Sequence, residues 1–250
     1  MAVAVFVAGS AGVALAGTDA SAAWHDAQQM VLVTIPRWDS TQGTLRTYER
    51  DGAGWRQVGQ PHPVVIGHGG AGWGLGLQPA QAGGPHKVEG DGRSPAGVFR
   101  LGTAFGYAAS ANTGLPYRAL ENSDWCVDVS GSPRYNRLVD AEKAGAAAVA
   151  DATEPMRRDL HFHGDQRYRE GFVIEHNWQQ APMGGSCIFG HLWKSPTSTT
   201  TGCTAMAPQT MTGLLAWLDS RRHPVFVLLP QAQYARLHKA WKLPVVDAHP

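Results

Sequence analysis

Charged residues are scarce in this sequence: Asp, Glu, Lys and Arg fill 16% of its 250 positions, and the formal net charge is +1. No Lys/Arg cluster interleaved with aromatics occurs, which argues against a nucleic-acid partner. Cysteine is scarcer still, three in all and without a C-x-x-C pair, so a zinc ribbon is disfavoured. A long uninterrupted apolar run is also missing. Val3 to Gly17 is short and rich in Gly and Ala, less than a bilayer span requires. Finally, the Gly-rich "GHGGAGWGLG" at 67–76 lacks the GK[ST] ending of a phosphate loop, and no amphipathic helix follows it. It reads as a loop in which backbones pack closely.

What is present suits a single folded domain. Hydrophobic residues make up 43%, enough for a sizeable core, while 30 Gly and 16 Pro imply many turns and few long helices. The first residues, "MAVAVFVAGSAGVALAGTDASAA", combine an apolar run with the small-residue pattern Ala20-Ser21-Ala22. This reads as a secretory leader over 1–22, with Ala23 as the mature start and one domain over 23–250. No basic residue precedes Arg37. A leader with no positive head implies either a start upstream of Met1 or an uncleaved segment, and the bland alternative is a buried Ala/Val helix or strand. Removal of the leader would leave no stable membrane span, in a protein that is periplasmic or secreted.

Short β-branched and apolar runs bounded by turn residues recur along the chain. "MVLVTI" at 30–35, "TLRTYE" at 44–49, "WRQVG" and "PVVIG" predict a β-meander. "GVFRLG", "GFVIEHN", "SCIFGHLW" and "PVFVLLP" predict further strands. "AEKAGAAAVADA" at 141–152 predicts a helix or a surface excursion. In "PQTMTGLLAWLDSRR", Met211, Leu214, Leu215 and Leu218 form one apolar stripe, with Pro208 near the start and Arg221 and Arg222 near the end. That pattern predicts a helix. The chain is therefore expected to be mainly β with a few helices.

The three cysteines, Cys126, Cys187 and Cys203, allow three pairings. In an exported protein an odd count implies one disulfide and one free thiol. A catalytic thiol needs a base or a positive field, because an ordinary thiol is only slightly ionised at neutral pH. Cys203 in "TTTGCTAM" follows Gly202, whose backbone freedom lets a substrate carbonyl approach, and a helix is expected soon after it, placing the thiol near a helix N-terminus. Cys187 lies in a strand-like apolar run, where cysteines are usually inert. His191 precedes Cys203 by twelve residues, so a strand, a loop and a return would let the two side chains meet.

"GGSCIFGHLWKSPTSTTTGCTAM" resembles the catalytic signature of the L,D-transpeptidase (YkuD-like) family, in the branch with a short spacer and TGC where the common signature has SHGC. "KVEGDGRSPAGVFRLGTAFGY", "WCVDVSGSPRYNRLV", "YREGFVIEHN" and "LLAWLDSRRHPVFVLLP" also resemble that branch, so the likeness covers about 30–230. The resemblance implies a YkuD-like β-sandwich or open barrel. It implies Cys203 as the acylated nucleophile and His191 as the general base, with a backbone carbonyl of the Leu192 region orienting the imidazole. Gly202 and the Cys203 N–H would shape the oxyanion hole. Thr201 stands where the common signature has a second His, a departure that bears on substrate contacts. The implied reaction is acyl transfer on peptidoglycan stem peptides through a thioester, without metal or organic cofactor. A carboxypeptidase or amidase using water, and a non-catalytic wall-binding domain, are the alternatives.

Other residues have further readings. Cys126 and Cys187 are the disulfide candidates, since export permits the bond. His176 and Asn177 in "IEHN" are candidates either for lining the substrate cleft or for a hydrogen-bonding role behind it. "HFH" at 161–163 offers two ligands on one strand face, to which Cys187, His191 and Cys203 could add a zinc site. Asp91 and Arg93 read as turn residues.

Overall fold

The computed structural model describes residues 20–246. The expected leader therefore lies outside the described residues except for Ala20–Ala22. Just beyond it, Trp24 is buried and packs edge-on against Trp241. The strands are β1 (Gln29–Ile35), β2 (Gln42–Asp51), β3 (Gly54–Val65), β4 (Ala71–Trp73), β5 (Ser94–Gly106), β6 (Tyr117–Ala119), β7 (Asp124–Cys126), β8 (Leu138–Asp140), β9 (Glu154–Pro155), β10 (Glu170–Ile174), β11 (Phe189–Leu192), β12 (Thr204–Met206) and β13 (Val225–Pro230). The α-helices are α1 (Ala141–Ala144), α2 (Pro208–Trp217) and α3 (Gln231–Leu237).

The apolar runs become the strands that water never reaches. β1 and β13 are buried along their whole length and lie parallel, Val31 opposite Phe226. Continuous rather than alternating apolar sequence is what a strand covered on both faces requires. β1, β2 and β3 form the expected antiparallel meander. β3 pairs with β12, β12 runs parallel to β11, β11 pairs with β10, and β10 reaches β5, which returns to β13. The mainly β class is as expected, but the ring of eight strands is a closed mixed barrel rather than a sandwich or open barrel. Closure depends on the length of β5. Its first half pairs with β13 through Gly97–Arg100 and its second half with β10 through Leu101–Gly106. Closing the ring removes the exposed sheet edges that an open barrel leaves.

The main hydrophobic core takes up Leu32, Val98 and Val227, which lie in one register row, and Phe99 on the opposite face of β5, together with Phe172, Leu192 and Met206, among others. Each buried side chain of this size contributes about 1.5–3 kcal/mol. α2 adds the predicted stripe, with Met211, Leu214, Leu215 and Leu218 all buried. Arg221 and Arg222 fall in a separate 3-10 turn after Leu218 has turned extended, so they do not lie in the last turn of α2. The Ala-rich stretch makes only the one-turn α1, because Gly145 leaves the helical region at φ +85, and a 3-10 turn follows. Among the described residues no helix is long and apolar enough to cross a membrane.

A second apolar cluster lies outside the barrel wall. Phe105, Leu120, Met156, Tyr168 and Phe189 form it together with all three cysteines. The small sheet β8-β7-β9 contributes to its cover. A disulfide joins Cys126 on β7 to Cys187, which lies just before β11. The alternation along β11 explains the division: Leu192 packs into the barrel while Phe189 belongs to the outer cluster.

Candidate active site

Of the sequence-derived candidates, His191, Thr201, Gly202 and Cys203 come together on or beside two neighbouring strands. β11 and β12 run parallel, with Gly190 opposite Thr204 and His191 opposite Ala205. Cys203, the residue before β12, is the free thiol among the three cysteines. Cys203 and His191 both line one cavity of about 720 Å³, together with Tyr168, Arg167, Thr201 and His68. Cys203 is 5% exposed and His191 8%.

The backbone at the thiol is held from several sides. Gly202 has φ +151, and a Cβ there would lie 3.1 Å from the Arg93 carbonyl oxygen. Ser94 Oγ donates to the Gly202 carbonyl at 2.6 Å and accepts the Gly67 N–H at 3.0 Å. Thr200 Oγ1 donates to the Cys203 carbonyl at 2.6 Å and accepts the Gly202 N–H at 3.2 Å. Here the Gly-rich loop at 67–76 finds its use. A Cβ at Gly67 would sit 2.2 Å from the Gly92 carbonyl oxygen, so only glycine lets these segments close around the Cys203 loop.

The sulfur has two backbone partners. The Phe189 N–H donates to Sγ at 3.4 Å, and the thiol donates to the Cys187 carbonyl at 3.4 Å. His191 Nδ1 lies 2.8 Å from the carbonyl oxygen of Leu192. A carbonyl can only accept, so Nδ1 carries the proton and Nε2 the lone pair. Tyr168 packs edge-on against the imidazole, ring centroids 5.5 Å apart, and donates its hydroxyl to Glu154 at 2.6 Å.

Burial dominates the electrostatics. It pushes the Cys203 thiol up to about 12, with Glu154 adding to the rise and the Phe189 N–H opposing it. Burial also holds the His191 imidazole down to about 4, against the pull of the Leu192 carbonyl. At neutral pH both groups are therefore uncharged. A thiolate arises only if the proton passes to the imidazole, and the resulting ion pair sits in a dry site where opposite charges attract strongly. The thiol is not at a helix N-terminus as expected: β12 intervenes, and α2 begins only at Pro208.

The remaining candidates are placed as follows. Thr201 is exposed at the cavity wall. Cys126 and Cys187 are joined. His176 and Asn177, expected to line the cleft, do not reach this cavity. His176 is buried, accepting from the Leu75 N–H at 3.2 Å and donating to the Gly184 carbonyl at 2.9 Å. Asn177 bonds the Ala181 and Gly185 carbonyls at 3.0 Å and the Ala181 N–H at 2.9 Å. Both fold the 177–185 loop, and that local role consumes their polar atoms. "HFH" forms a 3-10 turn rather than a strand, and Cys187 is spent in the disulfide. Among the described residues no cluster of three or more His, Cys, Asp and Glu could hold a metal ion. Asp91 closes a turn, accepting from Lys87, Val88 N–H and Arg93 N–H.

Sequence reasoning missed Tyr168, Glu154, Ser94 and the Phe189 N–H. "RYRE" and "TEP" carry no local signal, and a backbone donor leaves none at all.

The chain matches no family model, no curated protein and no solved structure.

Proposed function

We propose that this chain is an exported, cysteine-dependent L,D-transpeptidase that acts on peptidoglycan stem peptides. The reading rests on the resemblance of the segment around His191 and Cys203 to that family. One observation supports it above the rest: the free thiol of the described chain shares a cavity with an imidazole whose Nδ1 proton is held by a neighbouring carbonyl. That arrangement supplies a nucleophile and a base in the right tautomer. The Cys126–Cys187 disulfide suits an oxidising compartment, and the leader read over 1–22 agrees with export.

In the proposed reaction His191 Nε2 takes the Cys203 proton as sulfur attacks the carbonyl of the acyl donor. The Cys203 N–H, on a turn shaped by Gly202, steadies the oxyanion. The C–N bond breaks, and His191 returns the proton to the departing amine of the D-residue, leaving a thioester. An amine of a second stem peptide then attacks the thioester carbonyl and gives its proton to His191. The new amide forms, and the thiol is restored by the same proton.

Intact-mass measurement with a donor tetrapeptide tests the reading. The expected result is the donor's mass minus its terminal residue, added at Cys203 and absent in Cys203→Ala. A folded wild-type protein that never gains this mass overturns it. Product analysis with and without an added amine then separates transfer to an amine from transfer to water.

A further inference from the structure

Both hydrogen bonds to the Cys203 sulfur come from a single three-residue stretch. The Cys187 carbonyl accepts the thiol proton, and the Phe189 N–H donates to Sγ, each at 3.4 Å. Cys187 lies at φ +56, a left-handed conformation that non-glycine residues rarely hold without outside support. Two anchors supply that support. One is the disulfide to Cys126 on β7. The other is Asn136, whose Oδ1 accepts the Cys187 N–H at 2.9 Å. The Asn136 amide in turn donates to the His176 and Asn177 carbonyls at 2.8 and 3.0 Å. Asn136 itself does not line the Cys203 cavity; it lines a separate one of about 840 Å³.

We propose that Asn136 and the Cys126–Cys187 disulfide are positioning elements for the thiol: they fix the backbone of Cys187–Phe189 so that Cys203 stays dry, with its proton parked on the Cys187 carbonyl. The proposal rests on the proposed function only for the thiol's role as nucleophile. If the stretch is freed, water reaches the sulfur and solvates the thiolate. The ionisation midpoint then falls toward that of an ordinary thiol, about 8.5. The titratable and charged groups acting on the sulfur are Glu154 on β9, Arg167 and Tyr168 before β10 and Lys87 in the loop after β4, and His191 on β11 lines the same cavity. Replacing Asn136 alters none of them.

The test is the rate of Cys203 alkylation by iodoacetamide across pH, read by peptide mass, in wild type, Asn136→Ala and Asn136→Asp. Asn136→Ala should lower the midpoint by at least about one unit, which makes alkylation at pH 7.5 about tenfold faster. Asn136→Asp keeps an acceptor for the Cys187 N–H but loses the amide donation to the His176 and Asn177 carbonyls, so its midpoint should lie between those of wild type and Asn136→Ala. Two results overturn the proposal: Asn136→Ala matching wild type, or Asp behaving as Ala, which would trace the effect to the His176 and Asn177 carbonyls instead. Should Asn136→Ala not fold, wild type is treated with a dithiol. Two electrons from the dithiol, itself oxidised to a disulfide, convert the Cys126–Cys187 bond to two thiols. Faster Cys203 alkylation supports the proposal, and an unchanged rate overturns it. No wall substrate enters the assay, so failure of the proposed function and failure of the positioning role read out separately.

Discussion

The Nδ1–H of His191 points at the carbonyl of Leu192, its neighbour on the same strand, 2.8 Å away. The imidazole, which serves as the base in the proposed reaction, is thus oriented by a backbone carbonyl. A base held this way should contribute about 10²–10⁴-fold to acylation. His191→Asn should lower the acylation rate by that factor with an unchanged melting profile. Stopped-flow acylation beside thermal melts checks both, and a loss under tenfold would rule out the assigned role.

Because the thiol is pushed up to about 12 and the imidazole held down to about 4, proton transfer between them leaves the net charge of the pair unchanged across neutral pH. The acylation rate should be level from about pH 5 to 9 and fall only as His191 takes a proton near pH 4. A pre-steady-state profile with its acid limb near 6.5, the ordinary imidazole value, would contradict this.

Folding stability should carry the same signature. His176 and His191 are both held down to about 4 by burial, whereas in the unfolded chain each takes a proton near 6.5. Between these values the unfolded state binds more protons. The stabilisation is complete above about 6.5 and is lost as pH falls toward 4, at about 1.4 kcal/mol per unit for each histidine. Urea midpoints at several pH values should show this slope, and His176→Gln should reduce it without changing acylation kinetics.

Gly202→Ala should impair the nucleophile loop. An L-residue at φ +151 is strained, and its Cβ would press on the Arg93 carbonyl. The cost is about 1–3 kcal/mol, visible in chemical denaturation, with a larger proportional loss in acylation because Cys203 shifts with its neighbour.

The Cys126–Cys187 bond spans 61 residues, which on the chain-entropy account corresponds to about 4 kcal/mol. Cys126→Ser/Cys187→Ser should lower the guanidinium midpoint accordingly. A double variant as stable as wild type would remove the disulfide from the stabilising set.

Much of this was legible along the chain. Local apolar runs such as "MVLVTI" and "PVFVLLP" mark strands because their residues must leave water wherever they end up. "TMTGLLAWL" marks a helix because its spacing permits one buried face. Other outcomes turn on backbone conformation and pairing that residue types do not display. Gly145 cut short an Ala-rich helix by its own backbone conformation, His176 and Asn177 were taken up by carbonyls four to eight residues on, and the strand β12 between Cys203 and α2 exists only because β11 and β3 flank it.

Residue types and their spacing settled on their own that the chain is mainly β, that its buried strands are the apolar runs, and that one Gly-Cys pair and one histidine deserve to be singled out. Closure of the barrel, the pairing of Cys126 with Cys187, the cavity that Cys203 shares with His191 and Tyr168, and the Phe189 N–H at the sulfur were decided only by tertiary packing. Side-chain chemistry is written locally, whereas dryness, hydrogen-bond partners and shared cavities come from segments that the chain brings together only when it folds.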